Sequence, residues 1–180
     1  MNLSLRSTIR RLELQKAELV RRIEAWPSEW LACKPSPSEW SALEVLDHLR
    51  KTELAVLHSC EKNLKSREYL VTPTERAKTV LLLTMMRLPI KLKVPEPVSF
   101  VLPDGVTCLE AELTLWSAQR LLLNSFLEAL PTIDGSVGAI YHPATGWMNL
   151  RAALRFLSVH IRHHEFQLQR IKNARGGPGY

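Results

Sequence analysis

Apolar residues recur in alternating steps of four and three along most of the chain, the spacing of one face of an α-helix. Leu5, Ile9, Leu12, Lys16, Leu19, Ile23 and Trp26 keep this stepping with one lysine in it, whose stem can lie along apolar surface. They predict a first helix, stopped near Pro27. Three prolines between positions 27 and 37 mark a connecting loop. Ser41-Ala42-Leu43-Glu44 then has the spacing of a capping box, although Ser38 is an equal candidate to open the second helix. That helix carries Leu43, Leu46, Leu49, Val56, Leu57 and Leu64. Thr74-Glu75 opens an apolar helix running through Leu88 and ended by Pro89. From Pro89 to Asp104-Gly105 come four prolines and a turn, with Val98 to Val101 as at most a short extended piece. A connection of this length inside a compact domain is usually functional, or packs over the bundle. Leu109, Leu113, Trp116, Leu123, Leu127 and Leu130 predict a further helix, ended by Pro131. Asp134 to Gly138 reads as a flexible loop, followed by Tyr141 to Gly146 and a last helix from Trp147 to Lys172. There is no strand pattern, internal repeat or low-complexity tract. The fold class is therefore all-α, an antiparallel bundle of four long helices with a shorter one.

The last helix carries the candidate chemistry. Its stripe is Leu150, Leu154, Leu157, Ile161, Leu168 and Ile171, with a gap at position 164 that His164 fills. At about 100° per residue, His160 lies about 40° from His164 and one turn below it. Two inward imidazoles four residues apart fit one metal ion, and they also fit a pair of hydrogen-bonded core histidines. His163 makes an i, i+3 pair with His160, also compatible with chelation, but is turned about 100° from His164, away from the stripe. A metal needs a third ligand from another element, and the candidates are His48, His58 and His142.

Composition narrows the setting. A chain of 180 residues with 46% apolar content can bury one core, so residues 1–174 read as one domain and 175–180 as a disordered tail. The net charge of +6 is modest. Its main concentration, Arg6, Arg10, Arg11, Lys16, Arg21 and Arg22, shares the first helix with Glu13, Glu18 and Glu24. That is a solvated helix face and not a nucleic-acid footprint. Cys33, Cys60 and Cys108 form no CxxC pair, which fits a reducing cytoplasm better than a disulfide framework. The longest apolar run, Val80 to Met86, is interrupted by Thr84 and falls short of the ~20 residues a membrane span needs. A soluble protein follows.

Two segments together resemble the DinB-like (YfiT-type) family of metal-dependent proteins. One is Trp40-Ser41-Ala42-Leu43-Glu44-Val45-Leu46-Asp47-His48-Leu49. The other is His142-Pro143 and Gly146, followed by His160, His164 and Gln167. The resemblance implies a four-helix bundle holding a divalent metal, nickel or zinc, on His48, His160 and His164, with water or substrate completing the sphere. Periodicity does not place His48, which points about 140° from the centre of the second helix's apolar arc. Three neutral imidazoles would leave the ion its full charge and an open position, suited to activating water. The first functional reading is thus a metal-dependent hydrolase acting on a small molecule. The alternatives are a metal-dependent thiol S-transferase, using glutathione, bacillithiol or mycothiol, and a non-catalytic stress-response or interaction module. Glu44, one turn before His48, is a candidate to orient that histidine or act as a base, against the plainer reading of an exposed charge. His142, in a loop before proline, is a candidate to support a ligand or face substrate, against that of a surface residue. Trp40, Trp116 and Trp147 read as packing, and Cys60 as core. A homodimer is expected through helix faces, with Trp116, Leu115 and Leu122 forming an isologous patch.

Overall fold

A computed structural model describes residues 3–94, 96–105 and 108–176. The first apolar stripe folds as α1 (Leu3–Glu24) and buries Leu12, Leu19 and Ile23. Lys16 goes deeper than a snorkelling lysine: Nζ donates to Ser117 Oγ at 3.0 Å and sits 5.4 Å from the Trp116 ring centroid. The loop after Pro27 includes one helical turn, α2 (Ser28–Leu31). The next helix, α3 (Ala42–Ser66), is opened by Ser41 and not Ser38. Ser41 Oγ accepts the Glu44 N–H at 3.2 Å and Glu44 Oε2 accepts the Ser41 N–H at 2.8 Å, so both halves of the capping box form. A second capping box, Thr72 with Glu75, opens α4 (Pro73–Met85), with Pro73 in the first turn where its missing N–H is not needed. The chain continues from α4 as a turn to Leu88, through the Leu88 N–H to Met85 carbonyl bond at 3.0 Å. The remaining helices are α5 (Leu109–Ala129) and α6 (Leu150–Ala174).

Three expectations are corrected. Residues 98–101, expected as a short extended piece, lie in a 3-10 helical stretch, Glu96–Val101, that is kinked at Val98, whose φ of −119° and ψ of 27° are not helical. The stretch expected to run from flexible loop into helix instead forms an antiparallel hairpin, β1 (Gly138–His142) and β2 (Gly146–Asn149). Ile140 pairs with Met148, Tyr141 with Trp147 and His142 with Gly146, with a register irregularity between Gly138 and Ile140. Gly146 closes the turn at φ 81°, and a Cβ there would collide with the Glu75 carboxylate, which accepts the Trp147 N–H at 2.8 Å. The last helix accordingly starts at Leu150 and not Trp147, because Asn149 caps it by accepting the Ala152 N–H at 2.9 Å. Of the expected tail, Arg175 is anchored by a bond from Nη2 to the Lys34 carbonyl at 2.8 Å, and 177–180 lie outside the described residues.

The four long helices form a square. α3 packs on α5 and α6, and α1 packs on the same two, so α1 and α3 occupy opposite corners. The hairpin lies against α3 and α6, with α4 beside β2. Leu46, Leu49, Trp116, Leu123, Leu127, Leu154 and Ile161 fill the centre. Trp116, expected on a dimer face, is fully buried, while Leu115 and Leu122 are exposed. Its indole Nε1 donates to Glu53 Oε2 at 3.2 Å, and Arg120 grips the same buried carboxylate through Nε at 2.7 Å and Nη2 at 2.5 Å. Among the described residues no helix is long and apolar enough to cross a membrane.

Candidate metal centre

Position 164 fills the gap in the α6 stripe, and position 160 precedes it by one turn. Both therefore face the square's interior, each buried. Across from them α3 presents His48, equally buried. The three rings meet through their Nε2 atoms: His160 lies 3.1 Å from His48 and 3.0 Å from His164. Ligand atoms of all three lie within 4.8 Å of one another.

The outer nitrogens determine what those inner atoms carry. His48 Nδ1 donates to the Val101 carbonyl at 2.9 Å, and His164 Nδ1 donates to Gln167 Oε1 at 2.8 Å. Both acceptors are oxygens, so each Nδ1 holds the ring's hydrogen and each Nε2 is a bare lone pair. Burial pushes all three imidazoles below the ordinary histidine value, His160 and His164 furthest, and the neighbouring histidines push those two the same way. They stand neutral at neutral pH. Two lone pairs thus face His160 Nε2, which has at most one hydrogen to offer. A single cation satisfies all three Nε2 atoms at once, and ligands ~2.0–2.1 Å from one ion stand about 2.9–3.4 Å apart. The donor set fits a divalent metal.

Trp40 stands against the pair, its ring 4.8 Å from that of His48 and stacked 6.1 Å from that of His164. Phe156, one turn before His160, stacks on it at 5.2 Å. His142 lies beyond Phe156, edge-on at 5.4 Å, at the end of β1 and half-buried, so it is outside the triad. Its Nδ1 accepts the Ala144 N–H at 3.2 Å, which leaves its hydrogen on Nε2, and burial lowers its basicity. His58 is on the exposed side of α3. His163 is turned from the triad as the wheel implies, but it is not solvated. It is buried, and its Nδ1 donates to the Met86 carbonyl at 3.1 Å.

Glu44 is not bonded to His48. Its oxygens are taken by the Ser41 N–H and by Lys34 Nζ at 2.7 Å. Burial pushes its carboxyl up, but Lys34 and Ser41 outweigh this and hold it below the usual carboxylate range. The Val101 carbonyl is the contact that sequence patterns could not reveal, because a backbone oxygen on a proline-rich connection leaves no residue signature.

The family model of the DinB superfamily matches residues 11–168. None of the curated proteins matches the chain. Among solved structures, YfiT from Bacillus subtilis is described as a probable metal-dependent hydrolase with an unusual four-helix bundle topology. It is similar to this chain with a TM-score of 0.66 and 18% identity, over 96% of this chain and 87% of that one. At that identity the likeness is one of fold.

Proposed function

The chain belongs to the DinB superfamily, and from that membership we propose a metal-dependent hydrolase whose ion, zinc or nickel, is held by His48, His160 and His164. The observation that carries this reading is the meeting of three buried Nε2 atoms, two of them with their hydrogens committed elsewhere. An ion bound there would supply a Lewis acid that lowers the pKa of water towards ~7 and polarises a substrate oxygen. The chain's own residues do the rest. Val101 and Gln167 fix the tautomer and tilt of two rings and raise the basicity of their Nε2 atoms. Trp40 covers one side of the His48 and His164 rings. His142, neutral and with its hydrogen on Nε2, is suited to donate a hydrogen bond to a substrate oxygen. Glu44 serves by fixing the start of α3, and with it His48 one turn later.

The test is a thermal melt of chelated protein with and without zinc or nickel. At a hundredfold excess over the dissociation constant, metal is expected to add about 2.7 kcal/mol of stability. His164→Ala should abolish that response and His163→Ala should keep most of it, since His163 bonds to Met86 and not to the triad. A wild type indifferent to both metals would overturn the reading in favour of a metal-free interaction module. Loaded protein that turns over ester and amide substrates supports hydrolysis. One that instead binds glutathione, bacillithiol or mycothiol moves the reaction to thiol transfer.

A further inference from the structure

Between α4 and α5 the chain passes over α3, and three side chains of that helix fasten three successive points of it. His48 Nδ1 donates to the Val101 carbonyl at 2.9 Å, and Lys51 Nζ donates to the Leu102 carbonyl at 3.0 Å. Asp47 Oδ2 accepts the Asp104 N–H at 3.3 Å. Lys51 links the lower rungs, lying 3.0 Å from Asp47 Oδ2 and 2.6 Å from Asp104 Oδ1. The Asp47 side chain is 1% exposed, and Arg50 Nη2 at 2.6 Å completes its partners. A buried carboxylate is tolerated only when paired in this way, so these contacts fix where the strand of backbone can lie.

The first rung differs from the other two because its α3 side chain belongs to the histidine triad. The Val101 carbonyl decides which nitrogen of His48 holds the hydrogen, and therefore whether Nε2 offers a lone pair to His160. That carbonyl is the last residue of the 3-10 helix, and the chain beyond it is held by Lys51 and Asp47. We propose that Lys51 and Asp47 are positioning residues for His48: by clamping Leu102–Asp104 onto α3 they hold the Val101 carbonyl on Nδ1 and keep Nε2 turned into the triad. The consequence for affinity rests on the metal reading above, whereas the clamp itself is a property of the metal-free chain.

Asp47→Asn would take from Arg50 one of the two buried carboxylates that hold it, the other being Glu112, and risks unfolding, so the clamp is better tested through Lys51 and Asp104. Lys51→Met keeps the stem and removes the donor, and Lys51→Arg keeps charge and donors. Asp104→Asn alters a side chain that is 82% exposed. The first readout is the tautomer of His48 in chelated protein, from long-range proton–nitrogen NMR correlations. Wild type and Lys51→Arg are expected to show the hydrogen on Nδ1, and Lys51→Met a mixture of tautomers. The second is zinc affinity by competition with a chromogenic chelator. It should fall about tenfold to a hundredfold in Lys51→Met, the usual effect of losing a partner behind a ligand, and less in Asp104→Asn. A general loss of packing would not carry from an exposed aspartate to the tautomer of a buried ring. Wild-type tautomer and wild-type affinity in Lys51→Met would overturn the clamp. If wild type binds neither zinc nor nickel, the metal reading falls and the tautomer readout still decides the clamp.

Discussion

Five histidines of this chain, at 48, 142, 160, 163 and 164, are less basic in the fold than in the unfolded chain, each mainly because burial disfavours the charged ring. As pH drops below ~6.5 the unfolded state takes up protons that the native state refuses, so it binds more of them. Native stability must therefore fall as pH drops from that value towards the folded pKa values. The slope approaches about 1.4 kcal/mol per pH unit for each histidine that remains neutral. Urea midpoints of chelated protein should decline between about pH 7.5 and about pH 5.5, and His160→Gln should flatten the decline. A midpoint that rose on acidification would contradict this account. The same residues show how far a sequence reaches. His160 and His164 are legible because α6 has one apolar stripe and a histidine fills its gap. His48 is not, because α3 is buried by α2, α5, α6, β1 and the 3-10 helix together, and a wheel with one apolar arc misplaces a residue on a helix covered from several sides. Only the family motif singled it out.

Among the elements, α3 is read closely, since the Ser41–Glu44 box, one of two openings that the spacing allows, begins it. The caps Thr72 of α4 and Asn149 of α6 are not legible. The hairpin was missed, although Gly-Ala-Ile-Tyr-His and Gly-Trp-Met-Asn around Pro-Ala-Thr hold two short apolar runs across a turn that ends in glycine. Strands of this length carry too little alternation to compete with the helical stripe that follows. Also unread was the pairing of α3 with α5 through Glu53 and Arg120, since charges on two distant helices share no spacing. Both side chains are 3% exposed, so removing Glu53 leaves Arg120 in the interior with only Glu13, 3.7 Å from Nη1 and half exposed, as a carboxylate partner. Glu53→Ala is expected to cost about 3–5 kcal/mol in chemical denaturation, whereas Glu53→Leu combined with Arg120→Met should cost far less. If the double replacement were as damaging as the single one, the cost would lie in lost specific geometry and not in the stranded guanidinium.

Taken whole, the molecule has the bundle that its apolar stripes require, and on α5 large aliphatic side chains outside the buried stripe are exposed. Leu115 and Leu122 stand two turns apart on one side of α5, 52% and 60% exposed, and Leu121 beside them is 68% exposed. Trp116, turned about 100° from Leu115 round the helix, is buried and bonded to Glu53, so it contributes to the core and not to that face. A helix side with large aliphatic groups in water is stabilised by pairing with its own copy across a two-fold axis, each residue meeting its counterpart. A homodimer through α5 is accordingly expected, with an interface of about 800 Å² per subunit if it is of ordinary size. Light scattering across the micromolar range should give twice the chain mass, and Leu115→Glu with Leu122→Glu should return the monomer with the metal-dependent melt unchanged. A second set of exposed apolar side chains, Val80 and Leu81 on α4, supplies the competing outcome. A dimer that survives the α5 double variant and yields to Leu81→Glu would move the interface there. A wild type that scatters as a monomer at every concentration would leave the α5 leucines as solvent-facing residues and end the proposal.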